Sequence, residues 1–201
     1  MVTPADLAPQ HRGDSMRSSS VLSAVTLVTL LVGPGCTTEA AEDGPLALGG
    51  GDKNILCMPS VDGHTVSAGD ALTNEGETSV TIQGVSLVDA EGLEIEAAYL
   101  LPITSEGNSH TLMGNGWSMP PSFDEPGLAV FKDAWRQREE IVGAEIPPGE
   151  SRELFVGLRP TTVDGSKVKA IEVSYSDGNG RSYKGATSTE VNVLVGGEAC
   201  G

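Results

Sequence analysis

The chain has 201 residues and a formal net charge of −16, with 28 acidic residues against 12 basic ones. Such an excess of acid is repelled by phosphate backbones and by anionic lipid surfaces, so nucleic-acid binding and electrostatic attachment to a membrane are not expected. No basic stripe with interleaved aromatic residues is present either, and aromatic residues make up only 4% of the chain.

The first apolar run, Val21 to Val32, is shorter than the roughly 20 residues that a membrane-spanning helix needs. Its length is typical of the hydrophobic region of a signal peptide. Met16 and Arg17 supply a short positive lead, whereas a start at Met1 would place acids and prolines ahead of the run. We therefore expect translation to begin at Met16 and residues 1–35 to be a signal-peptide region.

The run continues into LLVGPGC, which ends at Cys36. This stretch resembles the lipobox of bacterial lipoproteins, in which small residues precede a cysteine that is lipidated and becomes the new N-terminus. Gly35 fits that pattern, whereas Gly33 stands where Leu or Val is usual and Pro34 is atypical. The resemblance implies that Cys36 carries a lipid anchor, and cleavage without lipidation, giving a secreted protein, is the alternative.

The remaining cysteines, Cys57 and Cys200, form a pair if Cys36 carries lipid. In an oxidising compartment we expect them to join and to tie together the two ends of the folded region. Two free thiols are the alternative. Residues 36–53 are rich in Thr, Glu, Ala and Gly without a hydrophobic period, so they are expected to form the lipidated N-terminus and a flexible tether.

Residues 54–201 have the length of a single domain and show the alternation of apolar and polar residues that is typical of antiparallel sheet with one face in a core. In VTIQGVSL, Val80 and Ile82 have the opposite parity to Val85 and Leu87, which predicts a β-bulge near Gln83-Gly84. The alternating runs are Leu93, Ile95, Ala97, Tyr99 and Leu101; Leu154, Val156 and Leu158; Ile171, Val173 and Tyr175; and Val191, Val193 and Val195.

Turn signals separate these runs. DAEG (Asp89 to Gly92) and SDGNG (Ser176 to Gly180) are typical of hairpin loops, and IPPGES (Ile146 to Ser151) is typical of a turn that enters a strand. Together with further short runs they indicate about seven to nine strands, which predicts an all-β fold, an immunoglobulin-like antiparallel β-sandwich.

Two segments, NEGETSVTIQGVSLVDAEGL and IPPGESRELFVGLRP, resemble the sandwich domains of uncharacterised exported lipoproteins from high-GC Gram-positive bacteria. The resemblance implies an immunoglobulin-like β-sandwich outside the cytoplasm, anchored to the cell membrane through the lipid on Cys36. It brings no catalytic residues, because its motifs are strands and turns.

An insertion from His110 to Gly143 departs from the strand pattern. Its second half, residues 124–142, predicts one short helix, with an irregular strand as the alternative. Its first half is loop-like but apolar, which indicates either a recognition surface or a loop that plugs the end of the sandwich. The candidate interaction residues are Leu112, Trp117, Met119 and Phe123.

A second hypothesis for the insertion is a copper site. His110, Met113 and Met119 are spaced H-x₂-M-x₅-M, and imidazole with thioether ligands suits Cu(I). An exported copper-binding protein is therefore the alternative function, and no other cofactor is expected.

Catalytic motifs are not evident. The sequence contains neither G-x-S-x-G nor H-E-x-x-H, so no enzyme is expected and an envelope enzyme ranks third among the hypotheses. The sequence favours a lipid-anchored, extracytoplasmic β-sandwich with a binding, scaffolding or cell-envelope role. Its partners are the membrane, through the lipid, and an unknown protein or glycan.

Overall fold

The structure is a computed structural model that describes residues 44–49, 53–106, 109–111, 114–125, 127–163 and 165–196. Strands dominate these residues, and none of their helices is long and apolar enough to cross a membrane. The strands are β1 Leu46–Leu48, β2 Asn54–Ser60, β3 Val66–Asn74, β4 Val80–Val88, β5 Leu93–Pro102, β6 Thr104–Glu106, β7 Ser109–Thr111, β8 Glu139–Glu140, β9 Glu145–Ile146, β10 Ser151–Pro160, β11 Ser166–Val168, β12 Ala170–Asp177, β13 Ser182–Ala186 and β14 Thr189–Val195. One short helix, α1, spans Lys132–Arg136.

The strands form an all-β sandwich, which confirms the predicted fold class. One sheet has the order β1-β3-β10-β5-β8, a second has β13-β12-β4-β9 and a third has β11-β14-β2, while β6 and β7 pair as a separate hairpin. Neighbouring strands are antiparallel with one exception, since β2 runs parallel to β14. The parallel pair departs from the purely antiparallel arrangement that the alternation predicts.

One hydrophobic core joins the three larger sheets. Its fully buried members include Leu72 and Leu154 from the five-stranded sheet, Ile82 and Val173 from the second sheet and Val193 from the third. Two short segments close the sides of this core. On one side β1 pairs with the end of β3, and on the other the chain passes from β8 to β9 through buried Ile141 and Ala144.

A β-bulge occurs where the sequence predicts one. Ser174 pairs with Gly84 and Tyr175 pairs with Ile82, so Gln83 has no partner in the ladder. The bulge places Val85 and Leu87 against the same core as Val80 and Ile82.

A second bulge contradicts one alternating run. Ala97 pairs with Gly157 and Ile95 pairs with Leu158, so Glu96 is the extra residue of β5. Beyond Glu96 the side-chain parity reverses, because side chains alternate strictly between the two faces of a strand. The five apolar residues predicted on one face are therefore split between two faces: Leu93 and Ile95 contact the main core, whereas Tyr99 and Leu101 do not.

The predicted loops and boundaries hold in part. SDGNG joins β12 and β13, which are hairpin partners, and IPPGES leads into β10, as predicted. DAEG is not a hairpin loop, because β4 and β5 belong to different sheets. Turn residues specify a local reversal and do not specify which sheet the next strand joins. Leu46–Leu48, inside the segment predicted as a tether, is a strand of the five-stranded sheet.

Candidate functional site

The structure describes some of the predicted site residues and not others. Trp117, Met119 and Phe123 are described, and His110 lies in β7 opposite Ser105. Several others lie outside the described residues. They are Cys36, the predicted lipidation site, Cys200, the predicted disulfide partner of Cys57, and the loop residues Leu112 and Met113.

Residues 114–125 and 127–138 cover the outer face of the five-stranded sheet, and we call them the cap. The first part of the cap runs along the edge of β3. The amide of Ser67 donates to the carbonyl of Trp117 at 2.7 Å, the amide of Gly116 donates to Ser67 at 2.8 Å, and the amide of Met119 donates to Thr65 at 3.2 Å. This ladder supplies partners for backbone groups that an edge strand would otherwise leave unpaired.

The cap encloses a second apolar cluster, separate from the main core. Leu128 and Phe131 from the cap and Leu101 and Phe155 from the sheet are buried in it. Leu128 precedes a 3₁₀ turn at Ala129–Phe131 that continues into α1, which confirms the predicted short helix. The cluster explains why β10 is buried on both faces, with Leu154 in one core and Phe155 in the other.

Aromatic rings at the rim of this cluster pack edge to face. Trp135 stands 5.5 Å from the ring of Tyr99 and 5.5 Å from that of Phe155, with interplanar angles of 76° and 71°. The guanidinium of Arg138 lies 4.5 Å from the centre of the Trp135 ring and shields that face from solvent. Trp135 is therefore engaged within the fold, and the face that Arg138 covers is not an open platform for a ligand.

Met119 has a packing role that bears on the copper hypothesis. Its Cγ and Cε lie 3.1 and 3.0 Å from the position that a Cβ on Gly157 would occupy, so the absence of a side chain at Gly157 admits the methionine. The described residues contain no group of three or more His, Cys, Asp or Glu side chains placed to hold a metal. Met113 lies outside the described residues, so the copper hypothesis remains a prediction.

The cap also covers a carboxylate. Glu153 on β10 is only 2% exposed, and one of its oxygens accepts a hydrogen bond of 3.1 Å from the amide of Gly114. Burial of a carboxylate is costly unless it is hydrogen-bonded, so this bond fastens the start of the cap to the sheet.

Three of the four predicted interaction residues belong to this packing. Trp117, Met119 and Phe123 are half-buried against the second cluster. These residues cover one face of the five-stranded sheet. The prediction that the loop plugs the end of the sandwich is therefore wrong about which surface is covered. Among the described residues, the large apolar side chains that remain exposed are Ile55 on β2, Val61, Val130 in the cap, Val142 between β8 and β9, and Val163.

An open cleft of about 840 Å³ lies at one end of the sandwich, and we call this the distal end. Its walls are the turn at Asp62 and Gly63, the segment from Pro160 to Val163, and the end of β14 at Val195 and Gly196. The two valines of these loops are strongly exposed, Val61 at 63% and Val163 at 80%.

Backbone hydrogen bonds hold the loops of the cleft in place. The amide of Gly196 donates to Ser60 at 3.3 Å, and the amide of His64 closes the turn onto Val61 at 3.0 Å. The amide of Thr161 donates to Gly92 at 2.8 Å. Two exposed valines on braced loops are a more specific feature than singly scattered apolar residues, which need no explanation.

The strand register places this cleft opposite the point where the chain enters the domain. β1 pairs with the last residues of β3, with Leu46 opposite Asn74, and we call this the proximal end. The first residue of β3, Val66, lies opposite Leu158 of β10, two residues before the cleft wall begins at Pro160. A strand the length of β3 spans roughly 27 Å, so the sandwich separates the two ends.

The distal end is acidic. Its described lysines and arginine already have acidic partners: Arg159 pairs with Glu94, Lys167 with Glu91 at 3.1 Å, and Lys169 with Asp89 at 3.4 Å. Thr65 donates a hydrogen bond to the carboxylate of Glu96. Asp62, at the tip of its turn with φ of 54°, makes no hydrogen bond or ion pair to the rest of the described chain.

Cys57 lies on β2, the strand that pairs with β14, whose last residue lines the cleft. Its side chain is exposed, whereas Met58 beside it is buried in the core. The chain's other two cysteines lie outside the described residues, so a disulfide between Cys57 and Cys200 remains a prediction.

Two carboxyl groups away from the cleft have shifted pKa values of opposite direction. Burial raises the pKa of Asp70 on β3, and a hydrogen bond from the amide of Ala71 only partly offsets this. The backbone amide of Arg181, with Tyr183 and Asn179, lowers the pKa of Asp177 in the β12–β13 hairpin. Asp70 lies at the middle of β3 and Asp177 at the end of β12, and both groups have structural roles.

No protein-family model matches the chain, and no curated protein matches it. Similar solved structures include the ASH/PapD-like domain 7 of human CEP192, with 10% identity, a TM-score of 0.39 and coverage of 86% of this chain and 97% of that one. The adhesin CfaE of enterotoxigenic Escherichia coli has 8% identity, a TM-score of 0.37 and coverage of 76% and 49%.

The VesB protease of Vibrio cholerae is similar at 10% identity, with a TM-score of 0.36 and coverage of 75% of this chain. The chain spans 32% of the VesB protease and 49% of CfaE. These likenesses concern the arrangement of strands alone, and no activity or partner of those proteins carries over to this chain.

Proposed function

We propose that the chain is a lipid-anchored, extracytoplasmic binding module that presents the distal end of its β-sandwich to a partner. One observation carries the proposal: the described chain begins at the proximal end with β1, and an open cleft whose loops carry two exposed valines lies at the opposite end. The fold leaves Val61 and Val163 exposed there, while it buries or half-buries most of the large apolar side chains of the cap, Val130 excepted.

The anchor in this proposal is Cys36, carrying more than one acyl chain, because a single chain holds a protein to a membrane only marginally. Only a short stretch separates Cys36 from Gly44, where the described chain begins. Gly44 and Leu46 are fixed against the proximal end, where the amide of Leu46 donates to the hydroxyl of Tyr175 at 3.2 Å. The distal loops then face away from the lipid surface.

Site-specific photocrosslinking on intact cells tests the proposal. A photoreactive amino acid at Val163 should capture a partner protein or glycan, and one at Val130 should not. Val130 is the matched control, because it is also an exposed valine, at 49%, but belongs to the cap. Capture from Val130 and not from Val163 would overturn the assignment of the binding surface.

The anchor needs its own measurement. The intact mass of protein extracted from membranes should correspond to a chain that begins at Cys36 and carries acyl groups. A species that begins after Ala40 without added acyl mass would remove the anchor from the proposal and leave the distal cleft to be tested on a secreted protein.

A further inference from the structure

Resting on the proposed function, we infer that the distal cleft binds a basic, aliphatic segment of a protein partner, in which Val or another aliphatic residue alternates with Lys or Arg. The cleft combines two recognition elements that such a segment satisfies together. Val61 and Val163 offer exposed apolar surface, and Asp62, which follows Val61 in the turn and lines the cleft, offers a carboxylate.

The apolar element favours aliphatic side chains. Pro160, Val163 and Val195 line the cleft, and none of its lining residues is aromatic. Covering Val163, which is 80% exposed, removes apolar surface from water and so contributes to binding in proportion to the area covered.

Charge favours a basic segment over a neutral or acidic one. The described lysines and arginine of the distal end are already engaged by Glu94, Glu91 and Asp89, whereas the carboxylate of Asp62 has no partner among the described residues. The chain as a whole carries a net charge of −16, so an acidic segment would be repelled as it approached.

An extended segment suits this arrangement because side chains at alternate positions point to opposite sides. Valines on one side can lie over Val61 and Val163, while lysines on the other side reach towards Asp62 and bulk solvent. A glycan satisfies neither element fully, since it presents no cationic group to Asp62 unless it carries amino sugars.

Four blocked peptides on one Gly-Ser frame test the inference against the full chain purified from membranes in detergent. Their central sequences are Lys-Val-Lys-Val-Lys, Ser-Val-Ser-Val-Ser, Glu-Val-Glu-Val-Glu and Lys-Ser-Lys-Ser-Lys, and binding is measured by fluorescence anisotropy up to millimolar concentration. We expect the first peptide to bind most tightly and the third and fourth not to bind.

Three variants then assign the binding to residues. Asp62→Asn should weaken the Lys-Val peptide about two- to fivefold, as expected for an exposed ion pair, and leave the Ser-Val peptide unchanged. Val163→Ser should weaken both Val-containing peptides by about tenfold. Val130→Ser, on the cap, should change neither.

The outcomes separate this inference from the function on which it rests. Equal binding of the Lys-Val and Ser-Val peptides, binding of the Lys-Ser peptide, or no binding at all would overturn the inference, while capture from Val163 on cells would still support a binding module. Absence of both peptide binding and capture would overturn both.

Two other occupants are also distinguishable. Peptide binding that appears only after residues 197–201 are removed would assign the cleft to the chain's own C-terminus. Self-association that Val163→Ser abolishes, measured by analytical ultracentrifugation, would assign it to a second copy. Either result would overturn the inference.

Discussion

The cap and the distal end both carry apolar side chains outside the main core, and the fold uses them differently. In the cap, Leu128 and Phe131 are buried against Phe155 of β10, and a ladder of hydrogen bonds joins the cap to β3. At the distal end, Val61 and Val163 remain exposed although the loops that carry them are braced by hydrogen bonds.

The difference shows that apolar content alone does not identify a binding surface. The insertion has the more apolar sequence, with two tryptophans and several methionine and phenylalanine residues, and much of that surface is consumed in covering one sheet. The distal loops contribute only two exposed valines, but nothing in the described chain covers them. For this reason the binding function that we propose is assigned to the distal end and not to the cap.

The largest expected effect concerns stability within the cap. Leu128→Ala should lower the free energy of unfolding by about 2–5 kcal/mol, because Leu128 is fully buried and its removal leaves a cavity. Val130→Ala, two residues along the same segment, should change it by no more than about 0.5 kcal/mol. Urea denaturation followed by circular dichroism measures both, and similar small effects would show that the cap is not part of the folded unit.

The predicted disulfide would distinguish how the two regions are held, since packing holds the cap and a covalent bond at Cys57 would hold β2. Cys57→Ser and Cys200→Ser should each lower the free energy of unfolding by about 2–4 kcal/mol, and the double variant should lose no more than either single one. Cys36→Ser should leave stability unchanged. A loss from Cys36→Ser equal to that from Cys57→Ser would instead pair Cys57 with Cys36.

Exposed apolar surface can be compared with a neutral solvatochromic dye such as Nile red. Dye fluorescence should fall markedly in the double variant Val61→Ser/Val163→Ser and hardly change in Val130→Ser. Neither variant should alter the free energy of unfolding by more than about 0.5 kcal/mol, because the substituted side chains are exposed. Equal dye binding by all three proteins would place the accessible apolar surface elsewhere.

The smallest effects concern pH and serve as a reference from two carboxyl groups that do not line the cleft. Burial raises the pKa of Asp70 above its usual value of 3.8, so the folded state holds its proton to higher pH than the unfolded state does. The contribution of Asp70 to the free energy of unfolding is therefore present below pH 3.8. It is lost as the pH rises from 3.8 through the raised pKa of the folded state. Asp70→Asn should remove that loss and raise stability at neutral pH.

Asp177 should behave in the opposite sense, since hydrogen bonds lower its pKa. Its contribution is present above the usual value of 3.8 and lost as pH falls through the lowered one, so Asp177→Asn should reduce stability at neutral pH and flatten the acid limb of the profile. Urea denaturation between pH 2 and pH 7 measures both variants. Parallel pH profiles for the two would contradict these assignments.

Period-two alternation was sufficient to predict the sandwich, the β12–β13 hairpin and the bulge at Gln83, because each depends on local parity. It failed at Glu96, since a bulge there is masked by the uninterrupted apolar run Ala97 to Leu101 that follows it. It also missed the second apolar face of β10. Apolar residues at both parities in LFVGL were a signal of a strand buried on both sides.

The distal cleft could not be read from the sequence in the same way. Val61 and Val163 lie in turns about a hundred residues apart, and an isolated valine in a turn has no significance by itself. Only the register of β3, β10 and β14 brings the two loops together. The cap was visible as an insertion, but the sheet face that it covers depends on that same long-range pairing.

Amide hydrogen exchange on the full chain tests most directly whether the cap belongs to the fold while the distal loops are open. We predict slow exchange at the amides of Ser67, Trp117 and Met119, which donate hydrogen bonds between the cap and β3. The amide of Val163 should exchange orders of magnitude faster. If the amides of Trp117 and Met119 exchange as fast as that of Val163, the cap is not packed stably against the sheet. That result would contradict the distinction between a packed cap and exposed distal loops.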